Sequence, residues 1–307
     1  MAGRLRIGTC SWADEALLKA WYPRHVRTSE QRLGYYASHF DTVEVDSTFY
    51  RLPAESVVSR WASATPEGFV FHVKAFAVMT RHPTRVEQLP PELRDQASLD
   101  ERGRVYRPSE ELRATVFAQF REALTPLRKA GKLGGILLQL PPYIVAKPSS
   151  EQYLAWAIEQ LRGDRPLVEF RHRSWLTEER RERTLQLLEQ LGATFVVTDS
   201  PQLETNTVVP TVVATTADAS YVRFHGRNRD TWHRRGGSAA ERFDYLYTEE
   251  ELRGWLPALT ELTQQAREVY AFFNNNARSR RGEREVAQAA ENAQMLLEIA
   301  GEAGLLT

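Results

Sequence analysis

At 307 residues, 42% hydrophobic and 26% charged, the chain has the make-up of a folded protein long enough to bury most of its apolar surface. Its 40 basic and 40 acidic residues cancel, which excludes a strongly basic nucleic-acid coat or an acidic solvating tail at the level of the whole chain. No run of ~18 apolar residues occurs, so no membrane span is expected.

Runs rich in Val, Ile and Phe, bounded by Gly, Pro, Asp or Asn, recur along the chain and read as strands buried on both faces. In chain order they cover residues 5–10, 42–48, 69–75, 135–140, 166–171, 194–199, 220–225 and 268–274. Amphipathic stretches of helical length lie between them, at 30–40, 55–64, 109–129, 150–161, 178–191, 249–266 and 283–303. Thr177 and Thr248, each followed by two glutamates, are expected N-caps. Strands alternating with helices imply a parallel sheet with right-handed crossovers, and a count of eight implies a (β/α)8 TIM barrel. One unit is irregular. Residues 200–219 carry two prolines and no 3.6-residue period, so a helix is expected to be missing between strands six and seven. Long loop insertions are expected at about 80–108 and 227–247, within a single domain spanning 1–307.

Active sites of such barrels form where the strands end. Glu44 and Asp46 share one face of strand two, His72 and Lys74 one face of strand three, and Glu169 and Arg171 one face of strand five. Gln139 ends strand four, Asp199 strand six, Arg223 and His225 strand seven, and Asn274 and Asn275 strand eight. Charges inside runs such as VEVDSTFY, FHVKAF, VEFRH and YVRFHG must find partners, because burying an unpaired charge costs several kcal/mol. A purely internal ion network closing the barrel mouth is one solution; a binding or catalytic site is the other, and the one favoured here.

As a set, GTCSW, EVDSTFYRLP, FHVKA, GGILLQLPP, VEFRHRSW, the Asp after FVVT, YVRFHGR and AFFNNN resemble the YecE-like family (domain of unknown function 72). The resemblance runs from about residue 5 to about 300. It implies a TIM barrel with a distant likeness to the endonuclease IV and xylose isomerase group, and it supplies no reaction. The family usually has Glu-Val-Asn where this chain has Glu44-Val45-Asp46, which adds a carboxyl at the rim. After Asn275 the family tends to a short Gly-containing turn, whereas NARSRRGERE makes a longer, more basic loop here.

The favoured chemistry is metal-free, with no cofactor, since neither GxGxxG nor GxxxxGK[ST] occurs. Lys74, Arg171 and Arg223 would hold an anionic, phosphate- or carboxylate-bearing, or sugar-like small molecule. Glu169 and Asp199 would be acid and base, and His225 a proton carrier near neutral pH, for hydrolysis, elimination or isomerisation. Glu44 and Asp46 would contact substrate, Gln139, Asn274 and Asn275 would orient its hydroxyls or amides, and Trp12, Tyr50 and Trp175 would stack on a sugar or base. Lys74→Ala, Glu169→Gln and Arg223→Ala are then expected to abolish binding and spare the fold.

The alternatives share the same rim. A divalent metal held by Glu44, Glu169, Asp199 and His225 would make a phosphodiesterase or endonuclease-like protein. Nucleic-acid binding would use the arginines of 223–242 beside Tyr221, Phe224 and Trp232, with Arg278, Arg280, Arg281 and Arg284. His82 and His233 read as ordinary loop residues. Cys10 reads as packing; as the single cysteine it forms no internal disulfide, and the opening MAGRLRIGTCSW has no secretory apolar core. A cytoplasmic location is therefore expected.

Overall fold

The computed structural model describes residues 2–232 and 239–306. Eight parallel strands, β1 (Arg4–Thr9), β2 (Thr42–Val45), β3 (Val70–Lys74), β4 (Leu133–Gln139), β5 (Pro166–Glu169), β6 (Thr194–Asp199), β7 (Ala219–Phe224) and β8 (Glu268–Phe273), form one sheet. The sheet runs in the order β1-β8-β7-β6-β5-β4-β3-β2, nearly closed into a TIM-barrel-like fold. Helices α1 (Glu15–Ala20) and α2 (Ser29–Ala37) link β1 to β2, and α3 (Glu55–Ser63) links β2 to β3. Helices α4 (Glu110–Ala123) and α5 (Thr125–Lys129), α6 (Pro148–Gln160) and α7 (Arg181–Gln190) fill the next three connections. After β7 come α8 (Ala239–Arg242), α9 (Glu249–Arg253) and α10 (Leu256–Gln265), and after β8 a hairpin of β9 (Arg278–Arg281) and β10 (Arg284–Ala287) precedes α11 (Gln288–Glu302).

Both faces of the sheet are buried, as the apolar runs require. Outward residues such as Val43, Val73, Val168, Val197 and Phe273 pack under Leu33, Phe120, Leu154, Leu188 and Leu296 of the helices. Inward residues Leu137, Leu167, Val196, Tyr221, Tyr270 and Phe272 plug the barrel, each full burial contributing about 1.5–3 kcal/mol. His72 lies among these rings, 4.2 Å from Tyr270 and 5.0 Å from Tyr221 between centroids, with neither ring nitrogen hydrogen-bonded. Burial holds it well below the ordinary histidine range, so it serves as a neutral filler. Beside it the β3–β4 register slips, and a Cβ on Gly134 would lie 2.5 Å from the His72 ring, so only glycine fits there.

No hydrogen-bonded ladder joins β1 to β2. The Tyr36 hydroxyl from α2 bridges the seam instead: the Thr9 backbone N–H donates to it at 2.9 Å and it donates to the Thr42 carbonyl at 3.1 Å. A Cβ on Gly8 would lie 2.4 Å from that same carbonyl, so the backbones close in where β1 has no side chain. Tyr36→Phe leaves a buried donor and acceptor without partner and is expected to cost about 1–3 kcal/mol in denaturant unfolding. An unchanged midpoint would show that the hydroxyl does not hold the seam.

The segment 200–218 contains no helix, as the prolines imply, and a cavity of about 720 Å³ opens beside it. Helix 109–129 breaks at Leu124 ahead of Pro126, and helix 249–266 breaks at Gly254 and Trp255 ahead of Pro257, where the missing N–H is harmless in a first turn. Thr248 forms a full capping box. Thr177 caps no helix; its carbonyl accepts from Arg180 and Arg181 in a preceding turn, and α7 starts four residues later. Residues 284–287 are strand, and Glu283 is part of a turn, where helix was expected, because Gly282, at φ 63°, turns the chain back on β9 and Val286 and Ala287 bury.

Candidate active site at the barrel mouth

Arg223, fully buried on β7, stands at the centre of the strand ends. Its Nη2 donates to Glu44 of β2 at 2.7 Å, and its Nη1 donates to Glu169 of β5 and, at 3.3 Å, to Gln139 of β4. The second Glu44 oxygen accepts the Tyr221 hydroxyl at 2.8 Å, and the second Glu169 oxygen meets Arg171 and, at 3.2 Å, His225 Nε2. Two carboxylates and two guanidiniums thus interlock beneath the opening, which offsets the cost of taking four charges from water. Burial alone would raise the Glu169 pKa, but Arg171, Arg223 and His225 hold it well below the usual range. Glu169 is a fixed anion.

His225 cannot be the proton carrier expected from the sequence. Its Nε2 faces the Glu169 acceptor while Nδ1 faces the Asn274 amide at 3.0 Å, which fixes the neutral Nε2–H tautomer. Burial, with Arg171 adding to it, pushes the ring down to about 3.

Above this closed network lies an accessible layer. Asp46, Lys74 and Arg171 are half-buried, and neither the Asp46 carboxyl nor the Lys74 ammonium has a hydrogen-bond partner among the described residues. Burial pushes Asp46 up to about 6, with Lys74 pulling it down and Glu44 pushing it further up. Burial and Arg223 lower the Lys74 pKa, against Glu44, Glu169 and Asp46. Its Nζ rests 4.5 Å from the centre of the Phe49 ring. Arg171 meets Glu169 through Nε, and its Nη atoms have no hydrogen-bond partner among the described residues.

The structure therefore gathers Glu44, Asp46, Lys74, Gln139, Glu169, Arg171, Arg223, His225 and Asn274 at one mouth, with Tyr50 59% exposed on its rim. Four expected residues point elsewhere. Asp199 pairs with Phe224 across the ladder and so faces out of the barrel, where it accepts from Arg227 at 2.7 Å and Trp255 Nε1 at 2.7 Å. Trp175 is fully buried, stacked on Phe170, and donates to the Ile144 carbonyl at 2.8 Å. Asn275 ties the end of β8 to Asn292 of α11 and to the Tyr245 carbonyl. Trp12 also belongs to the core, edge-on to Trp61 and Phe71. Sequence reading missed His82: the loop after β3 brings it beside Lys74 and Arg171, which together with burial push it down to about 3. It also missed Asp14, the N-cap of α1, whose carboxyl burial raises to about 6.

The set Glu44, Glu169, Asp199 and His225 does not fit a metal. Asp199 is on the other side of the sheet wall, and the remaining carboxylates are taken by Arg223, Arg171 and Tyr221. Among the described residues no three His, Cys, Asp or Glu side chains converge with metal-ligating geometry. The basic loops are largely neutralised within the chain. Arg227 pairs with Asp199 and Glu251, Arg278 with Glu285, and Arg281 and Arg284 share Glu291. His233, Arg234 and Arg235 lie outside the described residues.

A family model described as protein of unknown function DUF72 matches residues 6–305. The UPF0759 protein YunF of Bacillus subtilis is 33% identical over 297 residues, covering 95% of this chain and 93% of its own. Among solved structures, a DUF72 family protein from Enterococcus faecalis V583 superposes with a TM-score of 0.77 at 25% identity, covering 97% of this chain and 95% of that one. Another, from Thermotoga maritima MSB8, gives 0.74 at 29% identity over 97% and 99%. No helix among the described residues is long and apolar enough to cross a membrane.

Proposed function

The chain belongs to the DUF72 family, whose description carries no reaction, and from that starting point we propose that it is an enzyme moving a proton on a small anionic, sugar-like substrate. The carrying observation is the pairing of two layers: a saturated ion network below, and Asp46, Lys74 and Arg171 left partly unpaired above it. Charges held out of water without partners are costly, and a ligand bearing phosphate or carboxylate repays that cost.

In this reading Lys74 and the Nη atoms of Arg171 bind the anionic group. Gln139 and Asn274 orient hydroxyls, and Asp46 takes a proton from a substrate carbon or hydroxyl; the charge left on the substrate faces Lys74. In an isomerisation the Asp46 carboxyl returns the proton at a neighbouring atom; in an elimination the leaving group departs and the proton is lost to water. Glu44, Glu169, Arg223 and His225 act as positioning residues. A carboxyl that titrates at about 6 is ionised at neutral pH and still basic enough to accept a proton.

Sugar phosphates and hydroxy acids offered in thermal-shift assays should stabilise the protein, and Lys74→Gln should weaken binding about 10- to 100-fold, the size of one lost charge-assisted hydrogen bond. The pH dependence has a definite sign. Below about 6 Asp46 is neutral, so the mouth gains one positive charge and anions bind more tightly, while turnover falls because the base is protonated. Binding that ignores both Lys74→Gln and pH would place the ligand elsewhere.

A further inference from the structure

Beside His82 the insertion of residues 80–108 lines a solvent-open cavity of about 660 Å³, at which Arg81 and Arg107 are exposed. Arg81, Arg104, Arg107 and Arg113 line it, against one carboxylate, Asp100, which Arg104 already takes at 2.6 Å. The Arg113 Nε is buried with no partner, and its Nη1 is spent on the Pro108 carbonyl. Arg81 packs its guanidinium 3.8 Å from the Tyr153 ring centre, and burial with the nearby Arg113 lowers its pKa. Arg81 and Arg107, at φ 62° and 43°, are the two non-glycine residues with left-handed backbone among those described, and both line this cavity. Such conformations are disfavoured for side-chain-bearing residues and collect at ligand sites. Like charges, an unpaired buried nitrogen and strained backbone converge on one space, where a single carboxylate faces four guanidiniums.

We infer that this cavity is a second oxyanion subsite, taking a phosphate or carboxylate on the far end of the ligand bound at the mouth. His82 connects the two: it lines the cavity, and its ring stands edge-on, 4.9 Å between centroids, against the Phe49 ring that lies under Lys74. The substrate is then a bis-anion, one group at Lys74 and Arg171 and the other among the arginines, with its carbon skeleton passing His82. The assignment of the first group rests on the proposed function; the arginine cavity does not.

Calorimetric titration of the full chain with inorganic phosphate, and separately with succinate, tests this. Arg81→Gly with Arg107→Gly removes two guanidiniums and relieves both backbones, so the double variant should melt no lower than the parent. The parent should bind two phosphates, the double variant one, and Lys74→Gln should weaken only the site the double variant retains. Heat with phosphate alone identifies a phosphate subsite, and comparable heat with succinate at the arginine-dependent site identifies a general oxyanion subsite. Loss at the arginines with no effect of Lys74→Gln keeps the subsite and overturns the reading of the mouth. Unchanged phosphate binding in the double variant, or no binding to the parent up to the solubility limit, overturns the subsite.

Discussion

Arg223→Met should lower the unfolding free energy by about 3–5 kcal/mol, the cost of leaving buried carboxylates without their counter-charge. Arg223 touches both Glu44 and Glu169, and all three are buried. This reverses the expectation, drawn from the strand ends alone, that removing Arg223 would spare the fold. Adding Glu44→Gln and Glu169→Gln should recover most of the loss, because the network is then absent and no longer half-built. The pH dependence follows from Glu169. Its native pKa lies well below its unfolded value, so it stabilises the parent above about pH 4.5, and that contribution fades as pH falls through the native pKa. The gap between parent and Arg223→Met should therefore narrow on the acid side. A variant within about 0.5 kcal/mol of the parent at neutral pH, well under the effect of a buried unpaired charge, would mean that water reaches the network.

Asp46→Asn should reduce turnover about 10²- to 10⁴-fold, the usual contribution of a positioned general base, while leaving the fold firmer. Burial raises the native carboxyl from its ordinary 3.8 to about 6, so the native state binds its proton more tightly than the unfolded chain does. Stability of the parent therefore falls as pH rises from about 4 to 6, and stays reduced above it. Asparagine carries no such charge, and allowing for solvent screening the variant should gain about 1–2 kcal/mol above pH 6. Gain of stability with loss of activity is the pattern of a side chain kept for chemistry.

The strands were legible because both of their faces are apolar, and where two polar residues lie two apart the inward face was legible too. Glu44 with Asp46, and Glu169 with Arg171, announce their own phase. Strand β6 ends in a single acid, so its phase was open; only its register with β7, which sets Thr198 beside Arg223, turns Asp199 outward. Asn274 and Asn275 are adjacent and must face opposite ways, so at most one could reach the mouth. His82 lies eight residues past the end of β3, beyond the reach of any strand rule. The partners of the basic loops were equally hidden: Glu291, which pairs with Arg281 and Arg284, sits on α11 behind a hairpin whose second strand, 284–287, falls inside the expected helix 283–303. The neutrality of His225 depends on burial and on Arg171, which reaches it from the end of β5.

Hydrogen exchange into a bound ligand separates a proton-transferring Asp46 from one that only binds. Parent and Asp46→Asn protein would be incubated in D₂O with the sugar phosphates or hydroxy acids that stabilise the parent, and the ligand C–H signals followed by proton NMR. One signal next to a carbonyl or carboxylate should wash out with the parent, more slowly as pH falls through about 6, and persist with Asp46→Asn. A ligand that binds the parent with every C–H signal intact across this range, or that exchanges equally fast with both proteins, would contradict that role for Asp46.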